Sequence, residues 1–275
     1  MSSSHGADLF SLADKCVLIT GGAGLLGKVF SQALVDAGAN LAIIDLNRDE
    51  AESAARQIRK SSKQRVVAIG CDITSPDAVT KTVAQVVAEL GKIDVLVNNA
   101  ATKGSSIDSF FAPFENYSLE TWREVMAVNI DGYFLVAQAV GKHMKQRGKG
   151  GSIIQTSSIY GLVAPDQRIY ENSEYEGRPI NTPAVYSTSK AAVNGLTSFL
   201  ASYWAKENIR VNSLTPGGIA SGQNDEFNRR YSNRVPLGRM GEAEELVGAL
   251  IYLASDAASY VTGQNLVVDG GLSVW

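Results

Sequence analysis

The feature that most constrains the fold is an alternation. Short runs that are almost wholly apolar lie at residues 15–20 (KCVLIT), 41–45 (LAIID), 65–71, 93–98 (IDVLVN), 152–156, 209–214 and 264–268. Between most of them stand longer stretches whose apolar positions recur at helical spacing: 25–37, 48–60, 76–90, 119–146, 184–205 and 243–254. A strand apolar on both faces needs cover on both, and parallel strands need a crossover between them. The pattern therefore predicts an α/β chain, a doubly wound parallel sheet with helices on both faces. Local signals agree, with Gly38 ending the first helix and Pro76 in the first turn of the third, where proline is tolerated. Residues 101–118 and the Gly/Pro-punctuated stretch after 214 read as loops.

No repeat, low-complexity tract or shift in composition marks a linker, so residues 11–275 read as one domain behind a flexible tail at 1–10. With 45% hydrophobic and 19% charged residues the chain can bury a sizeable core, and a net charge of −3 argues against a nucleic-acid surface. Two cysteines, Cys16 and Cys71, both in strand-like runs, fit a reducing compartment. No leader pattern and no membrane-length apolar run is visible, so a soluble, cytoplasmic protein with no membrane partner is expected. His5 in the tail and His143 on a basic helix end (KHMKQR) show no ligand spacing, and no metal site is expected. His143 reads instead as a favourable charge at a helix C-terminus.

Two stretches carry chemistry. Thr20-Gly-Gly-Ala-Gly-Leu-Leu-Gly27 joins the first strand to the first helix. Gly21, Gly24 and Gly27 permit a tight turn and close backbone approach, and the free amides at Leu25 and Leu26 attract a pyrophosphate. Asp45 ends the second strand, where a carboxylate accepts hydrogen bonds from a ribose diol and repels a 2′-phosphate. Arg48 is the one nearby cation, so NAD is expected ahead of NADP. The second stretch is Tyr186-Ser-Thr-Ser-Lys190. Four positions apart on a helix, the phenol and the ammonium share a face. A phenol titrates near ~10, and a neighbouring cation favours the phenolate, which suits proton transfer to and from an alcohol.

In this order, Thr20 to Gly27, Cys71-Asp72-Ile73, Asn98-Asn99-Ala100-Ala101, Asn129, Ser158, Tyr186 with Lys190, Pro216-Gly217 and Val268-Asp-Gly-Gly271 resemble the short-chain dehydrogenase/reductase family, in its single-domain branch. The resemblance runs from Lys15 to Gly271. It implies a Rossmann domain with a seven-stranded parallel sheet in the order 3-2-1-4-5-6-7. It also implies an NAD(P)-dependent oxidoreductase that interconverts a secondary alcohol and a ketone by hydride transfer. Tyr186 would be the general acid/base, Lys190 would hold the ribose hydroxyls and favour the phenolate, and Ser158 would bind the substrate oxygen. Ser158 is chosen over Ser157 because the family serine stands three residues before a glycine, here Gly161. Asn129 would kink its helix and hold a water of the proton relay. Asp72 and Ile73 match positions at the adenine, Asn99 and Ala100 positions near the adenosine ribose. Pro216, Gly217, Ile219 and Ser221 match those around the nicotinamide carboxamide and the phosphates.

Besides Ala101, which stands where the family commonly has Gly, the chain departs from the pattern twice. Its second loop glycine is Gly24 where the single-domain branch has one at the place of Leu25, a spacing seen in the longer sugar-nucleotide branch. A sugar epimerase or dehydratase is therefore one alternative, and a catalytically silent dinucleotide-binding regulator another. Second, 28 positions separate Ser158 from Tyr186, far more than the family usually has. The extra segment, 165–183, is polar and aromatic and should lie over the site. Arg168, Tyr170, Glu171, Tyr175, Glu176 and Arg178 could meet a polyhydroxylated or charged substrate, or form a solvated surface flap or an oligomer contact. Members of gluconate or flagellin-glycan type carry similar insertions, so the resemblance implies a polar sugar-type or sugar-acid substrate. It also implies a homotetramer or homodimer built on the long helices near Leu119 and Ala184. The small-residue stripe Ala191, Gly195, Ser198 and Ser202 would either serve that contact or lie in the monomer core.

Overall fold

A computed structural model describes residues 6–175 and 177–275. Seven parallel strands form one sheet: β1 (Cys16–Thr20), β2 (Asn40–Asp45), β3 (Val66–Gly70), β4 (Val95–Asn98), β5 (Gly151–Thr156), β6 (Ile209–Pro216) and β7 (Asn265–Val268). Their spatial order is β3-β2-β1-β4-β5-β6-β7, as the sequence pattern and the resemblance lead one to expect. The sheet is covered by α1 (Leu25–Asp36), α2 (Arg48–Ser61), α3 (Pro76–Leu90), α4 (Leu119–Met126), α5 (Tyr133–Arg147), α6 (Ala184–Tyr203), α7 (Asp225–Ser232) and α8 (Val247–Ala254).

Alternation along each strand splits the core in two. Leu18, Leu96 and Ile153 face a cluster with Val86, Val140 and Trp204 of the α3–α5–α6 layer. Val17, Val97 and Ile154 face the other way, onto Phe30, Leu34 and Leu250 of the α1–α2–α8 layer. Each face alone would leave apolar surface in water, so the doubly wound arrangement follows from the strand composition.

Five expectations need correction. The loop read over 101–118 contains a short helix, Ile107–Phe110, and a 3-10 turn, Phe114–Asn116. The helix read over 119–146 contains a π-helical segment, Ala127–Gly132, between α4 and α5. The polar stretch after β6 contains α7, whose sequence DEFNRRYS has only Phe227 and Tyr231 buried, four positions apart. Asn224 caps it by accepting from the Phe227 amide at 3.0 Å. So few apolar positions give almost no periodic signal. Of the segment expected as a flexible tail, Gly6–Phe10 forms a 3-10 turn; residues 1–5 lie outside the described residues. His143 is no helix-end cation. Its Nε2 accepts from the Ile93 amide at 3.3 Å, and burial with Arg147 nearby pushes its pKa down, so the ring is neutral.

The insertion is not a solvated flap. It has a 3-10 turn (Gln167–Tyr170) and a two-residue hairpin (Glu174–Tyr175 with Arg178–Pro179). Ile169 is buried with Phe227, Tyr231, Val235 and Met240, in a third apolar cluster beside the sheet. Arg230 of α7 donates to the Arg168 carbonyl at 2.7 Å and pairs with Glu171 at 3.1 Å. Insertion and α7 thus fold as one unit at the carboxyl ends of β5 and β6.

Candidate active site

At those carboxyl ends lies a cleft of about 670 Å³. The turn from β1 into α1 forms one wall. Gly21 has φ +62°, and a Cβ there would meet Ala100 Cα at 2.7 Å. At Gly27 a Cβ would stand 2.0 Å from the Gly21 carbonyl oxygen, so only glycine lets the helix start this close. Gly24 is the N-cap and offers no side-chain cap. The first amides of α1, at Leu25 and Leu26, thus have no intrahelical acceptor and open on the cleft. Among the residues expected to hold a dinucleotide, all but Gly27 line the cleft.

The other positions are braced by local bonds. Asn99 donates through Nδ2 to the carbonyls of Thr20 (3.3 Å) and Gly21 (3.2 Å), so its side chain holds the glycine turn. The amides of Asn99 and Ala100 both donate to Thr20 Oγ1. Asp45 accepts from the Ala23 amide at 3.1 Å and fixes its carboxylate at the rim. Asp72 accepts from the amide and hydroxyl of Thr74 at 2.9 and 2.7 Å. Ile73 is buried against Gly132, where a Cβ would come within 2.6 Å of it. Gly217, just past Pro216, donates to the Val268 carbonyl at 2.9 Å. The Ser221 hydroxyl accepts from Gln223 at 3.0 Å, and Ile219 bridges to Gly241.

Tyr186, Ser158 and Lys190 meet in this cleft. Ser158 lines the cleft, accepts from the Tyr160 amide at 3.3 Å and stands within hydrogen-bonding reach of the Tyr186 phenol. Ser157 is already used: its hydroxyl donates to the Lys190 carbonyl at 3.1 Å and ties β5 to α6. Lys190 is 3% exposed, and its Nζ donates to the Thr156 carbonyl at 2.9 Å. Burial lowers its pKa to about 8. Burial also pushes the Tyr186 phenol above its ordinary value, with the Ser158 hydrogen bond opposing. The expected lowering of that phenol by Lys190 is therefore not a property of the chain alone. Asn129, fully buried in the π-helical segment, accepts from the Thr102 amide (3.1 Å) and donates to Ser189 Oγ (3.2 Å). Its side chain joins the loop after β4 to the Tyr186 helix.

A glycine cradle with free helix amides, a rim carboxylate and a buried ammonium with spare donors fit a nicotinamide dinucleotide. The family profile described as short chain dehydrogenase matches residues 15–232. The chain belongs to the short chain dehydrogenase family. This dehydrogenase is 36% identical over 287 residues to D-arabinitol 2-dehydrogenase (ribulose-forming) of Candida tropicalis, covering 97% of this chain and 95% of that one. Its structure matches a gluconate 5-dehydrogenase from Burkholderia cenocepacia in complex with NADP and tartrate, with a TM-score of 0.85 and 34% identity over 98% and 100% of the chains. A short chain dehydrogenase from Leptospira borgpetersenii with bound NAD+ matches at 0.83 and 34%, over 99% and 97%. The chain is thus an NAD(P)-dependent dehydrogenase type acting on CH–OH groups.

Several cleft residues carried no sequence signal, among them Leu46, Glu50, Thr102, Tyr160 and Thr182. The six insertion residues expected at the substrate mostly turn elsewhere. Arg168 pairs with Asp166, Glu171 with Arg230, and Arg178 with Asp108. The Lys103 ammonium sits 4.1 Å over the Tyr175 ring, and Glu176 lies outside the described residues. Among the described residues no group of three or more His, Cys, Asp or Glu could hold a metal, and no helix is long and apolar enough to cross a membrane.

Proposed function

We propose that this protein is an NAD-preferring dehydrogenase that interconverts a secondary alcohol and a ketone on a polyol, sugar or sugar acid. The observation that carries the reading is the convergence of Tyr186, Ser158 and Lys190 at one point of the cleft, beside a glycine cradle. Gly21, Gly24 and the Leu25 and Leu26 amides would hold the pyrophosphate, with Gly27 letting the helix approach. Asp45 would accept from the adenosine ribose, Asp72 and Ile73 would meet the adenine, and Asn99 and Ala100 would border that ribose. Pro216, Gly217, Ile219 and Ser221 would frame the nicotinamide end. When bound, the cofactor supplies the acceptor or donor for a hydride.

The proton chemistry belongs to the chain. Ser158 donates its hydroxyl proton to the substrate oxygen and stabilises negative charge there. Tyr186, next to it, takes the alcohol proton or returns one to the ketone oxygen. Lys190 has one protein acceptor, the Thr156 carbonyl, and an ammonium has three donors; the others suit a ribose diol. Asn129 holds α6 in place, and its helix would carry the water of the relay. The preference for NAD rests on two carboxylates, Asp45 and Glu50, at the ribose rim, while Arg48 packs against Gly70. They would repel a 2′-phosphate. A polar substrate suits a site whose relatives are named for arabinitol and gluconate.

The stripe Ala191, Gly195, Ser198 and Ser202 is exposed, beside a stacked Phe199–Tyr203 pair, each more than half exposed. Such a face supports assembly into a homodimer or homotetramer through α6. Two buried free cysteines fit a cytoplasmic setting.

The test is absorbance of the reduced nicotinamide with polyols, sugar acids and plain secondary alcohols, each with NAD and NADP. Turnover of a polyol or sugar acid, faster with NAD, is expected. No turnover across the panel, alongside tight NAD binding, would refute the reading.

A further inference from the structure

Two hydroxyls reach the cleft from outside the expected site set: Tyr160, two residues after Ser158, and Thr182, at the end of the insertion. Both are tied to one hub. The Tyr170 hydroxyl lies 2.5 Å from Thr182 Oγ1 and 3.4 Å from the Tyr160 hydroxyl. Tyr170 is itself fixed from behind. Its ring lies 5.6 Å from Phe227 of α7, which stacks on Tyr231 at 5.6 Å. The Tyr231 hydroxyl accepts from the Gly218 amide at 2.5 Å, at the cleft wall.

We propose that Tyr160, Thr182 and Tyr170 form a hydroxyl relay that recognises the non-reacting hydroxyl groups of a polyhydroxylated substrate, with Tyr160 and Thr182 in contact and Tyr170 as the positioning residue. The inference rests on the alcohol dehydrogenase reading and adds a specificity site to it.

Proton counting explains the fit. Three hydroxyls joined by two bonds have three protons, and the bonds use two. Tyr170 donates its one proton to Tyr160, so in the bond to Thr182 it accepts. The spare proton is then on Tyr160, and Thr182 keeps a lone pair. The cleft meets a donor at Tyr160 and an acceptor at Thr182. A substrate with neighbouring hydroxyls, each both donor and acceptor, matches the pair. A plain alcohol has nothing to offer this pair. Burial pushes the Tyr160 phenol well above its ordinary value and raises that of Tyr170, so the relay stays neutral and acts by hydrogen bonding. The insertion places its hub residue here because Ile169, beside it, is anchored in the third apolar cluster.

The experiment separates binding from turnover. D-arabinitol is titrated calorimetrically into NAD-saturated wild type, Tyr170→Phe and Thr182→Val, and turnover is followed with D-arabinitol and with 2-butanol. Tyr170→Phe keeps the ring against Phe227 and removes only the hub hydroxyl. Loss of a hydrogen bond or two should weaken arabinitol binding about ten-fold in each variant, by more than it slows 2-butanol turnover. Tyr170→Phe, whose hydroxyl lies behind the cleft lining, should leave NAD affinity and 2-butanol turnover unchanged. If Tyr170→Phe fails to fold, Thr182→Val carries the same test. Unchanged arabinitol affinity in the folded variants overturns the relay, as does equal weakening of arabinitol and 2-butanol, or no arabinitol binding by the wild type. Arabinitol binding that the variants lose, with no turnover of any alcohol by the wild type, keeps the relay and sinks the dehydrogenase reading instead.

Discussion

Lys190 should be a residue that function keeps at the expense of stability. Its ammonium is 3% exposed, and burial holds its pKa at about 8 against an ordinary 10.5. By linkage, that displacement means the folded chain carries a cost of about 3 kcal/mol at neutral pH. The sign follows from the direction: the folded state binds the proton more weakly than the unfolded one. The cost is fully present below about pH 8 and fades as pH rises towards 10.5, where both states lose the proton. Lys190→Met keeps the length and removes the charge. The Thr156 carbonyl keeps an acceptor role through Tyr133, whose hydroxyl donates to it at 3.2 Å. After subtracting the lost Lys190 hydrogen bond, worth about 1 kcal/mol, the variant should gain about 2 kcal/mol without cofactor. Thermal unfolding at pH 7 should then rise by roughly 4–8 °C, and the gain should shrink when repeated at pH 10. Turnover should fall by about 10²–10⁴, and saturating NAD should stabilise the wild type more than the variant. A variant less stable than wild type at pH 7, or a gain equal at both pH values, would refute the argument.

Three further outcomes are expected. Tyr186→Phe should lower turnover by about 10²–10⁴ while leaving NAD affinity, read by fluorescence titration, within a few-fold; loss of both would make the residue structural. Asp45→Ser should raise kcat/KM with NADP about ten-fold relative to NAD, by removing a charge from the ribose rim, and an unchanged ratio would mean that other residues choose the cofactor. Ile169→Ala should cost about 2–4 kcal/mol, seen as a lower denaturation midpoint. It should also raise KM for a polyol more than for 2-butanol, because it loosens the anchor beside Tyr170.

The site was legible in the sequence where chemistry is local. Gly21 to Gly27 can be read because a tight turn at a strand end tolerates only glycine at φ +62° and at the 2.0 Å approach. Tyr186 and Lys190 can be read because four residues on a helix share a face whatever surrounds them. Family likeness supplied Ser158 and Asn129; in the structure Ser157 donates to the Lys190 carbonyl, while Ser158 accepts from the Tyr160 amide at the cleft. The role of the insertion was not legible in the sequence, for a physical reason. Arg168, Glu171 and Arg178 look like substrate contacts in a polar string, yet their partners are Asp166, Arg230 and Asp108. Two of those partners, Arg230 and Asp108, lie far away in sequence.

By itself, then, the sequence determined the layered α/β architecture, the strand order through its family likeness, and the glycine turn between the first strand and the first helix. These depend on apolar periodicity and on backbone geometry within a few residues. Tertiary structure alone decided the electrostatic state of the reacting groups and the use of the insertion. The Lys190 pKa falls because other elements exclude water from its ammonium, and Tyr170 becomes a hub only because α7 packs behind its ring.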